Sequence, residues 1–140
     1  MAGNGSPRRA ETDPGSGGQD VVSVLKKRKD FVRAAKSGVH VPRRTLAMQG
    51  IRRKDFDTDD PSPRIGFTTS RKVGNAVKRN RARRRLREAA KVALEGVARP
   101  RYDYVLIGRP QTVDCPFDDI VRDIRDAASK IHQRTGRAGA

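Results

Sequence analysis

Two histidines, one cysteine and sixteen acids are the side chains here that could serve acid–base, nucleophilic or metal chemistry. None falls into a working constellation. His40 and His132 are separated by most of the chain, and neither has a partner at a motif spacing, so both read as surface or structural residues. Cys115 stands beside Pro116 at a predicted helix start, a place that can lower a thiol pKa, yet no local histidine is there to activate it. Asp59 and Asp60 belong to a loop, and Asp118 and Asp119 favour the positive end of a helix. The run Asp55–Asp60 imitates the start of a calcium loop, but positions six and twelve are Asp60 and Gly66 where that loop needs Gly and Glu. No catalytic or metal-ligating residue is therefore expected. The chemistry the residues do offer is phosphate binding. Nine Lys/Arg and no acid lie between Arg71 and Arg87, and the planar fork of arginine can grip phosphate at two points.

An element must carry those charges, and the sequence specifies a helix. Gly74 supplies a permissive turn, and Asn75 is a good N-cap because its side-chain oxygen can accept from a free N–H of the first turn. Strong helix formers follow to about Glu95, where Gly96 and Pro100 end the run. At about 100° per residue, Ala82, Leu86, Ala89, Ala90 and Ala93 share one face. Asn80, Arg81, Arg84, Arg87 and Lys91 share the other, flanked by Arg83 and Arg85. Solvated faces usually interleave Glu with Lys. A face without acids repels itself unless an anion lies along it.

Composition narrows the anion. The chain has 140 residues, a net charge of +16 and a pI near 11.3, which points to nucleic acid first and an anionic membrane surface second. The basic helix offers Leu and Ala but no Trp or Phe as membrane anchors, so no membrane partner is expected. Nor is a small-molecule substrate, since no phosphate-cradling glycine motif occurs. One cysteine allows no internal disulfide, and no segment approaches the ~20 apolar residues of a membrane span. A cytoplasmic protein is expected.

Along the chain, residues 1–20 are rich in Gly, Ser and Pro and read as a disordered tail. Residues 21–133 form the single domain, and 134–140 a flexible tail. Lys27–Lys36 predicts a short helix bearing Phe31, and strands are expected on both sides of Pro42–Arg44. Arg64–Ser70 alternates as a strand delivering Arg71 and Lys72 to the Gly-Asn turn. Tyr102–Gly108 is the clearest strand, stopped by Gly108, Arg109 and Pro110. A last helix opens near Asp114, its apolar face made by Phe117, Ile120, Val121, Ile124, Ala128 and Ile131. Acids gather between Asp103 and Asp126, so one side alone should bind anions. This order of elements gives an α+β or α/β class.

The run Lys72-Val-Gly-Asn-Ala-Val-Lys-Arg-Asn-Arg-Ala-Arg-Arg-Arg-Leu-Arg-Glu88 closely resembles the signature of the protein subunit of bacterial ribonuclease P. There, a strand ending in basic residues meets a Gly-Asn turn and an Arg-Asn-Arg helix, here Arg79, Asn80 and Arg81. The similarity extends more loosely from about Leu25 to Ile131. It implies an α+β fold, a small two-layer sandwich with about four strands, helices packed on them and a left-handed βαβ crossover (ribosomal protein S5 domain 2-like). It also implies a non-catalytic protein subunit of a ribonucleoprotein endonuclease whose RNA subunit cleaves with Mg2+. The partners would be that RNA and precursor tRNA, whose 5′ leader is removed. Arg71, Lys72, Lys78, Arg79, Asn80, Arg81, Arg83, Arg84, Arg85 and Arg87 would bind RNA. Phe31 and Phe67 would line a leader-binding cleft, where stacking contributes roughly 1–3 kcal/mol per base. Family members often carry a second aromatic where this chain has Ala35. The residues by themselves also allow a ribosomal or general RNA-binding protein. Neutralising six to ten phosphates would make affinity fall by roughly 10³–10⁵ between 50 and 200 mM salt.

Overall fold

Alternating apolar residues in the chain centre and two long amphipathic segments build a mixed sheet with helices, seen in a computed structural model that describes residues 23–25, 27–53 and 61–139. The elements run β1 (Ser23–Val24), α1 (Arg28–Ser37), β2 (Val39–Pro42), β3 (Leu46–Arg52), β4 (Arg64–Thr69), α2 (Ala76–Ala93), β5 (Tyr102–Gly108), α3 (Pro110–Asp114) and α4 (Phe117–Gly139). The sheet order is β1-β4-β5-β3-β2. Four substantial strands thus form the sheet, and the two-residue β1 adds a short edge. The most apolar strand, β5, lies at the centre. It pairs parallel with β4 and antiparallel with β3, so β4, α2 and β5 make one strand–helix–strand unit. The class is α+β.

Alternation along β5 sorts the packing. Tyr102, Tyr104 and Leu106 face the main core, which includes Leu86, Ala89, Ala90 and Ala93 of α2 and Ile120, Ile124 and Ile131 of α4. Val105 faces the other way, toward Leu25, Ala34 and Phe31. Hence α2 and α4 pack on one face of the sheet while α1 lies across part of the other. Two close approaches fix these layers: a Cβ on Gly50 would lie 2.6 Å from Ile131 of α4, and one on Gly66 would lie 2.5 Å from the Phe31 ring.

Three expectations need correction. Pro110 does not simply stop β5. It opens the short helix α3, because a ring with no N–H suits the first helical turn as well as it breaks a strand. The helix expected to give way to a loose tail at Arg134 continues as α4 to Gly139. Within that stretch the Thr135 hydroxyl donates to Ile131 O at 2.8 Å and meets the Tyr102 hydroxyl. Phe117, expected on the buried face of α4, is exposed at its first residue. The expected tail 1–20 and the Asp55–Asp60 run lie outside the described residues.

Candidate nucleic-acid interface

The basic helix begins as its residues dictate. Gly74 takes φ +123°, a conformation side chains disfavour. Asn75 Oδ1 then accepts from Lys78 N at 3.0 Å, capping the first turn. Ala82, Leu86, Ala89, Ala90 and Ala93 are the buried stripe of α2. The opposite face is exposed and carries Lys78, Asn80, Arg81, Arg84, Arg87 and Lys91, while Arg79, Arg83 and Arg85 are half-buried along its flanks. Arg71 and Lys72 stand exposed in a single 3₁₀ turn just before it.

The arginines of α2 divide by what they touch. Arg85 turns inward and donates to Thr112 O at 2.7 Å and Cys115 O at 2.6 Å, holding the end of α3. Arg81 donates through Nε to Val113 O at 3.1 Å, with its side chain otherwise at the surface. Arg83 donates to Asn80 Oδ1. Partial burial, then the positive charges of Arg79 and Arg87, draw the Arg83 pKa below its ordinary value. Burial and neighbouring cations both disfavour the charged form. Arg87 sets its guanidinium 5.5 Å above the centre of the Phe67 ring, a cation–π distance.

A groove of about 500 Å³ opens on the sheet face that α1 only partly covers. Arg28, Phe31 and Ala35 of α1 form one lip, and Gln49, Thr68, Val105 and Ile107 contribute from the strands. Phe31 and Phe67 both border it. They do so differently. Phe31 reaches over Gly66, whereas alternation sends Phe67 to the α2 side of β4, beneath Arg87. Phe67 and Arg87 therefore join the groove to the basic helix. Sequence reasoning did not find Arg28, Gln49 or Thr68. Gln49 pairs with Val105 across the sheet, and only that register reveals it as part of the groove.

His40 is exposed on β2, and His132 is buried against Tyr104, whose hydroxyl lies 2.7 Å from His132 Nε2. Burial pushes the Cys115 thiol pKa up despite nearby Arg85. Among the described residues, no group of three or more His, Cys, Asp or Glu gathers that could hold a metal, and no helix is long and apolar enough to cross a membrane.

Comparison with known proteins fits this arrangement. The family described as Ribonuclease P matches residues 22–132. The chain is 47% identical over 113 residues to the ribonuclease P protein component of Ruegeria pomeroyi, covering 79% of this chain and 87% of that one. It is 42% identical over 115 residues to the corresponding component of Caulobacter vibrioides, covering 82% and 74%. Among solved structures, the Staphylococcus aureus RNase P protein superposes with a TM-score of 0.57 at 28% identity, covering 79% of this chain and 92% of that one. The Thermotoga maritima RNase P protein shares the fold with a TM-score of 0.63 at 23% identity, covering 78% and 97%.

Proposed function

The chain belongs to the ribonuclease P protein family, and on that premise we propose that it is the protein subunit of a ribonucleoprotein that removes the 5′ leader from precursor tRNA. One observation carries the reading: an exposed face of cations on α2 lies beside a groove walled by Phe31 and Phe67, with Arg87 and Phe67 as the junction. In this reading the face formed by Arg71, Lys72, Lys78, Arg79, Asn80, Arg81, Arg84 and Arg87 takes phosphates of the RNA subunit. Arg83, released from Asn80, adds a further donor. Arg85 acts mainly by holding α3, so its part in RNA binding is indirect. The groove takes the single-stranded leader. Phe31 stacks on a base, and Arg28 with Arg87 meets flanking phosphates, a combination that tolerates many sequences. Ala35, small and exposed on the same lip, leaves room for a base and gives it only a narrow platform.

The phosphodiester cleavage itself is assigned to the RNA subunit, with Mg2+ bound there. The protein contributes by placing positive charge between two polyanions. Screening their repulsion reduces the concentration of divalent cation needed to bring them together. The test is cleavage of precursor tRNA by the cognate RNA subunit at low magnesium, with and without the full chain. Wild-type protein should restore cleavage. Arg79→Ala/Arg84→Ala, both substitutions lying outside the buried stripe, should fold normally and lose that rescue. Tight general RNA binding by the wild type without rescue would support a ribosomal or general RNA-binding protein instead.

A further inference from the structure

The α1 lip of the groove is tied to the sheet by buried charged groups as well as by apolar contact. Asp103, on the α1-facing side of the central strand, is fully buried. It accepts from guanidiniums on three separate segments: Arg33 of α1 at 3.0 Å, Arg53 just beyond β3 at 2.8 Å, and Arg64 of β4 through bonds of 2.8 and 2.7 Å. Asp30 of α1, also buried, stands 3.5 Å from both Arg33 and Arg64. The apolar contact beneath α1 consists of Leu25, Ala34 and Val105, buried, and Phe31, Ile51 and Ile107, partly so. The helix has ten residues and no side-chain bond at its N-cap, so little within it fixes its place. Apolar contact is non-directional, whereas charge-assisted hydrogen bonds fix both distance and angle. Asp30 and Arg33 thus determine where Arg28, Phe31 and Ala35 stand over the strands.

We propose that Asp103 is a positioning residue for the precursor's leader. By tying Arg33 of α1 to β5 and, through Arg64, to β4, it sets the separation between α1 and the sheet. The proposal rests on the reading of the groove as the leader site. It assigns Asp103 no contact with RNA.

The experiment compares two precursors cleaved by the reconstituted ribonucleoprotein. One has a leader of about ten nucleotides, long enough to cross the groove, and the other has a leader of a single nucleotide. Arg33→Gln removes the direct arm from α1 to Asp103 together with the Arg33–Asp30 pair, leaving Asp103 with Arg53 and Arg64 and leaving Asp30 beside Arg64; Asp103→Asn removes the charge at the hub. For the long leader, KM should rise about tenfold with kcat unchanged, well within the loss that a 1 Å misplacement can bring. The short-leader substrate should be cleaved as by wild type, and Arg33→Lys should recover part of the KM. If Asp103→Asn does not fold, Arg33→Gln decides the matter. A folded Arg33→Gln protein with wild-type KM for the long leader, or with equal losses on both substrates, overturns the proposal. Phe31→Ala separates the two readings. Should it leave leader dependence untouched, the groove is not the leader site; should it raise KM while Arg33→Gln does not, only the positioning role fails.

Discussion

At the scale of single residues, arginines adjacent in sequence have opposite duties. Arg84 is exposed, whereas Arg85 closes the end of α3 through two backbone carbonyls. Hydrogen bonds from a charged group to such partners contribute about 1.5–3 kcal/mol each, and much of that is lost when the donor is deleted. Arg85→Ala should therefore lower unfolding free energy by about 2 kcal/mol in denaturant melts. Arg84→Ala should change stability by less than about 0.5 kcal/mol, as surface substitutions do, while weakening RNA binding and flattening its salt dependence. Equal stability of the two variants would contradict this division. The helical wheel of α2 placed Arg85 on a flank but could not reveal what the flank touches, because its partners lie 27 and 30 positions away. Asp103 was hidden for the same reason. In sequence it is one acid in an alternating strand; its arginine partners are 39 to 70 residues distant.

At the scale of elements, what was legible was what depends on near neighbours. Asn75 caps α2 and the five-residue stripe is buried as read, since both follow from positions a few residues apart. The strand Tyr102–Gly108 was found to the residue. The groove was legible only as Phe31 and Phe67, because its floor exists only once β3, β4 and β5 are in register. That floor depends on a missing side chain. The lack of a Cβ at Gly66 lets Phe31 and Leu25 approach β4 closely. Gly66→Ala should push α1 outward, lowering stability by about 1–3 kcal/mol as overpacking does, and should weaken binding of leader-bearing precursor more than mature tRNA. Unchanged stability together with unchanged precursor preference would mean that α1 shifts freely over the sheet.

At the scale of the whole molecule, buried titratable groups link the fold to pH. The Tyr104 hydroxyl receives the Arg99 N–H at 2.9 Å, leaving its own proton for His132 Nε2. Burial, then the charge of Arg99, hold the His132 pKa down at about 4 from an ordinary 6.5. Above pH 6.5 the imidazole is neutral folded or unfolded, so it adds no pH dependence. Below that the unfolded chain takes up a proton that the native site refuses, and stability falls until about pH 4. The loss between pH 7 and 4.5 should be on the order of 2 kcal/mol, measured by denaturant melts, and His132→Gln should remove that slope. Persistence of the slope in the variant would assign it elsewhere. Asp103 acts in a lower window. Burial alone would raise its pKa, but hydrogen bonds from Arg64 and Arg53 outweigh that and hold it below the ordinary carboxylate value, so its contribution disappears only as pH drops through that lowered range. The sheet order also has a consequence in time. The ribosome delivers β3 and β4 before the strand that separates them, and the β2–β3 hairpin can pair at once while β4 waits for β5. Closure of the sheet, and with it the groove, is a late event in translation: more than a hundred residues must leave the exit tunnel before β5 can slide between its neighbours, and until then the edge of β4 away from β1 is unpaired and open to the wrong partner.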